Sequence, residues 1–76
     1  MAQVADTTVN GVRISTIHVT DHQGVETVET MLFGKGIRAL DGYRSWNNIP
    51  DAIKGHERIV ANVRGGRLTV WTDTID

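Results

Sequence analysis

The sequence predicts an α+β fold: a small antiparallel β-sheet of three to five strands with one amphipathic helix packed on one face. Three observations carry this. Val12 to Thr20 and Val25 to Phe33 are two runs rich in β-branched and large apolar residues, hinged at Asp21-His22-Gln23-Gly24. Asn10-Gly11, between Thr7-Thr8-Val9 and Val12-Arg13-Ile14, is the dipeptide that most cheaply adopts the positive φ needed at both central positions of a type I′ hairpin turn. Ile53, His56, Val60 and Val63 recur at helical spacing.

The first strand is expected from about Asp6 to Val9, ahead of the hairpin at Asn10-Gly11. The second hairpin turns at Asp21 to Gly24. With Thr20 opposite Glu26, one face of that hairpin carries Val12, Ile14, Thr16, His18 and Thr20 with Glu26, Val28, Thr30 and Leu32. The other carries Ile17, Val19 and Asp21 with Val25, Glu29, Met31 and Phe33. Both faces are substantially apolar, whereas a small antiparallel sheet ordinarily wets one. The sequence therefore predicts cover for the second face, supplied by a partner, another copy of the chain or a folded-over terminus.

Residues 34–42, Gly-Lys-Gly-Ile-Arg-Ala-Leu-Asp-Gly, read as a loop whose Gly34, Gly36 and Gly42 match no phosphate-binding spacing. Tyr43-Arg44-Ser45-Trp46 is a short strand leading into the helix. Asn48 with Asp51 resembles a capping box, and Pro50 suits the first turn. Because a residue before proline avoids α geometry, Ile49 is the alternative cap position. Ala52 and Ile59 widen the apolar stripe, while Lys54, Glu57, Arg58, Ala61 and Asn62 are expected mostly on the outer side, and Gly65-Gly66 ends the helix. Gly55 inside a helix costs about 1 kcal/mol relative to alanine, so it is expected to permit a close approach to the sheet or a neighbour. Leu68, Val70 and Thr72 alternate with Thr69, Trp71 and Asp73, which reads as a final strand.

At 76 residues the chain is one domain, of a size that buries only about 60 % of its unfolded surface. The absence of cysteine excludes disulfides and thiolate metal sites. Eight basic against nine acidic side chains give a net charge of −1, and the nearest approach to a basic patch, Lys54, Arg58, Arg64 and Arg67, is interrupted by Asp51, Glu57 and Asp73. A nucleic-acid partner needs a concentrated cationic surface and is not expected. The N-terminal residues lack the basic and apolar regions of an export signal, and no apolar run approaches membrane-span length, so no membrane partner is expected either.

The polar residues that could carry chemistry are Asp21, His22, Glu29 and His56. A carboxylate beside a histidine can orient an imidazole as a base, and two histidines with a carboxylate can hold a metal. Their spacing matches no ligand motif, and Ser15 and Ser45 stand in no nucleophile motif. No catalytic residue, metal or cofactor is expected. His56 falls in line with the apolar stripe and is expected to be a core or interface histidine bonded to Glu29, Thr30 or backbone. Asp21 and His22 are expected to serve turn geometry, and His18 to be half-buried.

Ile14-Ser15-Thr16, Asp21-His22, Glu29-Thr30-Met31-Leu32-Phe33, Trp46 and Gly55-His56-Glu57, taken in order, resemble a set of small uncharacterised proteins encoded by bacteriophages and prophages. The resemblance spans about residues 12 to 64, and it departs in the turn after Asp21-His22, which similar chains often lengthen with a Gly-Pro insertion. It implies a phage gene product working in the host bacterial cytoplasm or in the virion. On that footing the sequence points to a non-enzymatic protein-binding module acting on a host or phage protein, with inhibition of host defence among its roles, that uses a sheet face or edge together with Trp46 and Trp71. Self-association as a homodimer or higher homo-oligomer is expected. The alternatives are a virion structural or decoration component, and a small-ligand or metal-binding protein using Asp21, His22, Glu29 and His56.

Overall fold

The computed structural model describes residues 2–34 and 42–66. They form β1 (Ala2–Val9), β2 (Val12–Thr20), β3 (Glu26–Phe33), β4 (Tyr43–Trp46) and α1 (Ile49–Arg64). The four strands make one antiparallel sheet in chain order, β1-β2-β3-β4, and α1 crosses one face of it. The expected final strand, with Leu68, Val70 and Trp71, and residues 35–41 of the expected loop lie outside the described residues.

The two hairpins form where their turn residues specify them. Asn10 and Gly11 sit at φ 52° and 77°, the left-handed pair of a type I′ turn, and Val9 pairs directly with Val12. At the second turn Asp21 Oδ1 accepts the backbone N–H groups of Gln23 at 2.8 Å and Val25 at 2.9 Å, an Asx-type closure. Val25, grouped by the sequence with the strand face, belongs to this turn and is exposed. The β2–β3 register is the expected one, with Thr20 opposite Glu26 and Ile14 opposite Leu32.

β1 begins at Ala2, well before the expected Asp6. The early residues escape an alternation reading because the ladder carries an extra residue between Gln3 and Ala5, a bulge that shifts the side-chain period by one.

Asn48 caps α1 from an extended conformation, its side chain accepting the Asp51 N–H at 2.8 Å, so the cap is Asn48 and Ile49 is the first helical residue. At the other end Gly65 donates its N–H to Ala61 O and Gly66 to Val63 O. Asn10 reaches across from the β1–β2 turn and donates Nδ2 to Val63 O at 3.1 Å. A turn residue thereby adds a second donor to the Val63 carbonyl and reaches the Arg64 carbonyl at 3.4 Å, tying the end of the helix to the hairpin.

The core is Ile14, Leu32, Ile59 and Val63, flanked by Val9, Val12, Trp46 and Val60. Each buried aliphatic side chain contributes about 1.5–3 kcal/mol. The helix meets the sheet through most of the expected stripe, Ala52, His56, Ile59 and Val63 with Val60 alongside, but rotated at its edge. Its buried residues are Ala52, Gly55, His56, Ile59, Asn62 and Val63, while Ile53, expected in the packed stripe, is 42 % exposed, and Asn62, expected outside, is buried. The rotation has a steric cause: Gly55 is the one position in α1 that lets the helix close onto the Trp46 indole, whose Cη2, Cζ2 and Cζ3 fill the space a Cβ would need.

Candidate functional site

Two features of the fold are candidates for function, one buried and one open. The buried one is a chain of hydrogen bonds to which every described element contributes one side chain. Trp46 of β4 donates Nε1–H to Thr30 Oγ1 of β3 at 2.9 Å. Thr30 Oγ1 lies 2.6 Å from Thr16 Oγ1 of β2, which lies 2.7 Å from His56 Nδ1 of α1. His56 Nε2 lies 2.9 Å from Thr7 Oγ1 of β1. Thr16 and Thr30 are fully buried and His56 is nearly so.

The direction of the hydroxyls follows from proton accounting. Thr30 Oγ1 accepts from the indole, so its own hydrogen needs an acceptor in a site closed to water, and Thr16 Oγ1 is the one in reach among the described residues. The Thr16 hydrogen then goes to His56 Nδ1. Nδ1 is therefore the acceptor, and Nε2 carries the ring proton and donates it to Thr7 Oγ1. Burial pushes the imidazole below its ordinary 6.5, with the Asp6 and Glu57 carboxylates pulling the other way.

This assignment bears on catalysis. A threonine hydroxyl, an imidazole and a third group in line have the outline of a nucleophile, base and orienting partner. Here Nε2 already holds its proton, so His56 is not set to take one from Thr7, and Thr16 feeds Nδ1 a hydrogen where an orienting group would accept one. The arrangement holds the helix to the sheet. The expected partners of His56, Glu29 and Thr30, are corrected to Thr7 and Thr16: Glu29 lies on the opposite face, and Thr30 is one hydroxyl further along.

The open feature is the sheet face away from α1. Across its strands run Gln3, Asp6 and Thr8 of β1, Arg13, Ser15, Ile17 and Val19 of β2, Thr27, Glu29, Met31 and Phe33 of β3, and Tyr43 and Ser45 of β4. Ile17, Val19 and Met31 are half-buried by lateral packing, and Phe33 and Tyr43 are exposed. Its charges are answered within the chain. Arg13 forms a two-pronged bond to the Asp6 carboxylate, closest at 2.9 Å, and lies 5.9 Å from the centroid of the Phe33 ring. That bond holds the Asp6 carboxyl below its usual range and the Arg13 guanidinium above its own. Glu29 Oε2 accepts from Tyr43 OH at 3.0 Å and from Thr27 Oγ1 at 3.2 Å. Desolvation of the phenol, then the Glu29 bond, raises the Tyr43 hydroxyl above its ordinary value.

The four polar residues singled out by the sequence are not brought together. His56 is under the helix, Glu29 is on the open face, and Asp21 and His22 sit in the exposed β2–β3 turn, where Asp21 is engaged with backbone amides. Among the described residues no group of three His, Asp or Glu side chains is placed to hold a metal ion. Trp46 is packed over Gly55 with the Arg44 guanidinium 4.7 Å from its ring centroid, and Trp71 lies outside the described residues. Sequence reasoning named Thr30 beside His56 but missed Thr7 and Thr16, and with them the network that joins the three threonines. The signal that could have found two of them was present, since the β2–β3 register already sets Thr16 opposite Thr30 on one face.

No family model, no curated protein and no solved structure matches this chain.

Proposed function

We propose that this chain is a small protein-binding module of the phage type that docks through the open face of its sheet, with a second copy of itself as its first partner. The observation that carries the reading is the contiguous group Ile17, Val19, Met31, Phe33 and Tyr43 on a face that no described element covers. Covering such a group removes apolar area from water, at about 25 cal/mol per Å². The charged groups on the same face oppose burial less than free ones would, because Asp6 with Arg13, and Glu29 with Tyr43 and Thr27, take their bonds within the chain. A two-fold pairing of identical faces is the commonest closed arrangement. In the phage setting that the resemblance implies, the same face is the one offered to a host or phage protein.

Light scattering at micromolar concentration tests the reading. The parent chain is expected at twice its 8.4 kDa mass, and Met31→Glu at the single mass with its helix signal intact. A parent that runs at the single mass and binds no hydrophobic dye overturns it.

A further inference from the structure

The hydrogen-bond chain Trp46–Thr30–Thr16–His56–Thr7 has one polarity, and that polarity depends on one proton. With His56 neutral, every hydrogen in the closed part of the chain has an acceptor: indole to Thr30, Thr30 to Thr16, Thr16 to Nδ1, and Nε2–H to Thr7. Adding a proton at Nδ1 turns that nitrogen into a donor, so Thr16 must accept from it and direct its own hydrogen to Thr30. Thr30 Oγ1 then receives two hydrogens, from Thr16 and from Trp46, and its own hydrogen is left without an acceptor in a fully buried site. The Thr7 end differs, because Thr7 is only half-buried and water can serve its hydroxyl.

We propose that this chain is a proton-operated latch, in which protonation of His56 reverses the hydroxyls and releases α1 from the sheet before the central strands separate. The order of release follows from how the elements are joined. β2 and β3 share a backbone ladder along their whole length, whereas α1 is joined to the sheet through side chains, among them the two bonds at His56 and those of Asn10 to the last carbonyls.

The charged surroundings of His56 are sparse. Asp6 from β1 and Glu57 from α1 favour the protonated ring. Asp6 is engaged by Arg13 of β2. On the helix-covered side, β2 and β3 contribute His18 and Glu26, 3.7 Å apart, and β4 contributes Arg44, stacked on Trp46. No carboxylate bonds to either ring nitrogen, both of which are bonded to threonine.

The test is amide hydrogen exchange, followed residue by residue on the full chain between about pH 7 and pH 5, above the ordinary carboxylate range. Replacing the other two histidines, His18→Gln with His22→Gln, leaves His56 as the one titrating imidazole of the three. The latch predicts that protection factors of Ile53 to Val63 fall about tenfold per pH unit below the ordinary imidazole value, while those at the β2–β3 ladder stay level. His56→Gln is expected to have weaker helix protection that no longer depends on pH. Helix protection that stays level in the double variant overturns the latch. So does a simultaneous loss in α1 and the β2–β3 ladder, and so does a folded His56→Gln chain that keeps the same pH dependence.

Discussion

The Trp46 indole occupies the volume that a side chain on Gly55 would need, and it is held there from two sides. Its Nε1–H is bonded to Thr30, and the Arg44 guanidinium lies over its ring. The edge strand and the middle of the helix are thereby locked at a spacing only glycine allows. This contact decides which arc of α1 faces the sheet.

Gly55→Ala sets two effects against each other. Alanine improves helix propensity by about 1 kcal/mol, and overpacking against a fixed ring costs about 1–3 kcal/mol. Because the indole cannot move without breaking its bond to Thr30, the overlap wins. The variant is expected to melt below the parent in a thermal scan followed by circular dichroism.

Ile59→Ala and Ile53→Ala separate the observed helix face from the one the apolar spacing suggests. Ile59 is fully buried and its truncation should cost about 2–5 kcal/mol, whereas Ile53 is 42 % exposed and should cost well under half as much. Urea denaturation of the two variants measures the difference.

Thr16→Val keeps the shape of a fully buried residue and removes the hydroxyl that joins Thr30 to His56. It leaves the Thr30 hydrogen and His56 Nδ1 unpaired, at a cost of about 1–3 kcal/mol. Thr8→Val, at an exposed position of β1, should change stability by less than about 0.5 kcal/mol. Equal effects in a denaturant titration would contradict the network.

Asn10 serves both a turn and a helix end, and two substitutions divide those roles. Asn10→Gly keeps the left-handed conformation at φ 52° and loses only the side-chain bonds to the Val63 and Arg64 carbonyls, about 0.5–1.5 kcal/mol. Asn10→Ala loses the bonds and strains the turn, so it should be the less stable of the two by calorimetry.

The pH dependence of stability follows from the lowered His56 ionisation. The folded state prefers the neutral ring, so the unfolded chain binds the extra proton first. Stability from this group is complete above the ordinary imidazole value of 6.5 and falls as pH drops below it, until the folded ring is itself protonated. Melting temperature followed downward from about pH 8 should decline beginning near that value, ahead of the carboxylates.

Much of the frame was legible because it is written in local signals. Asn10-Gly11, the Asp21 turn, the Asn48 cap and the β2–β3 register each depend on residues close in sequence or on strict alternation. The edge of the helix face was misread, with Ile53 placed inside it and Asn62 outside, because Gly55 has no hydropathy signal and its partner Trp46 sits on another element. The start of β1 was hidden by the bulge after Gln3. The threonine partners of His56 were invisible one by one, since threonine is also an ordinary strand former; only their shared face and the approach of α1 give them a role.

The proposed docking through the open sheet face is tested most directly by amide chemical shifts recorded while the protein is diluted from millimolar to low micromolar concentration. Pairing through that face gives concentration-dependent shifts at Ile17, Val19, Met31, Phe33 and Tyr43, with Ala52, Gly55 and Ile59 unchanged. Shifts that are independent of concentration at that face, or that fall instead on the exposed Ile49 and Ile53 of α1, would contradict it.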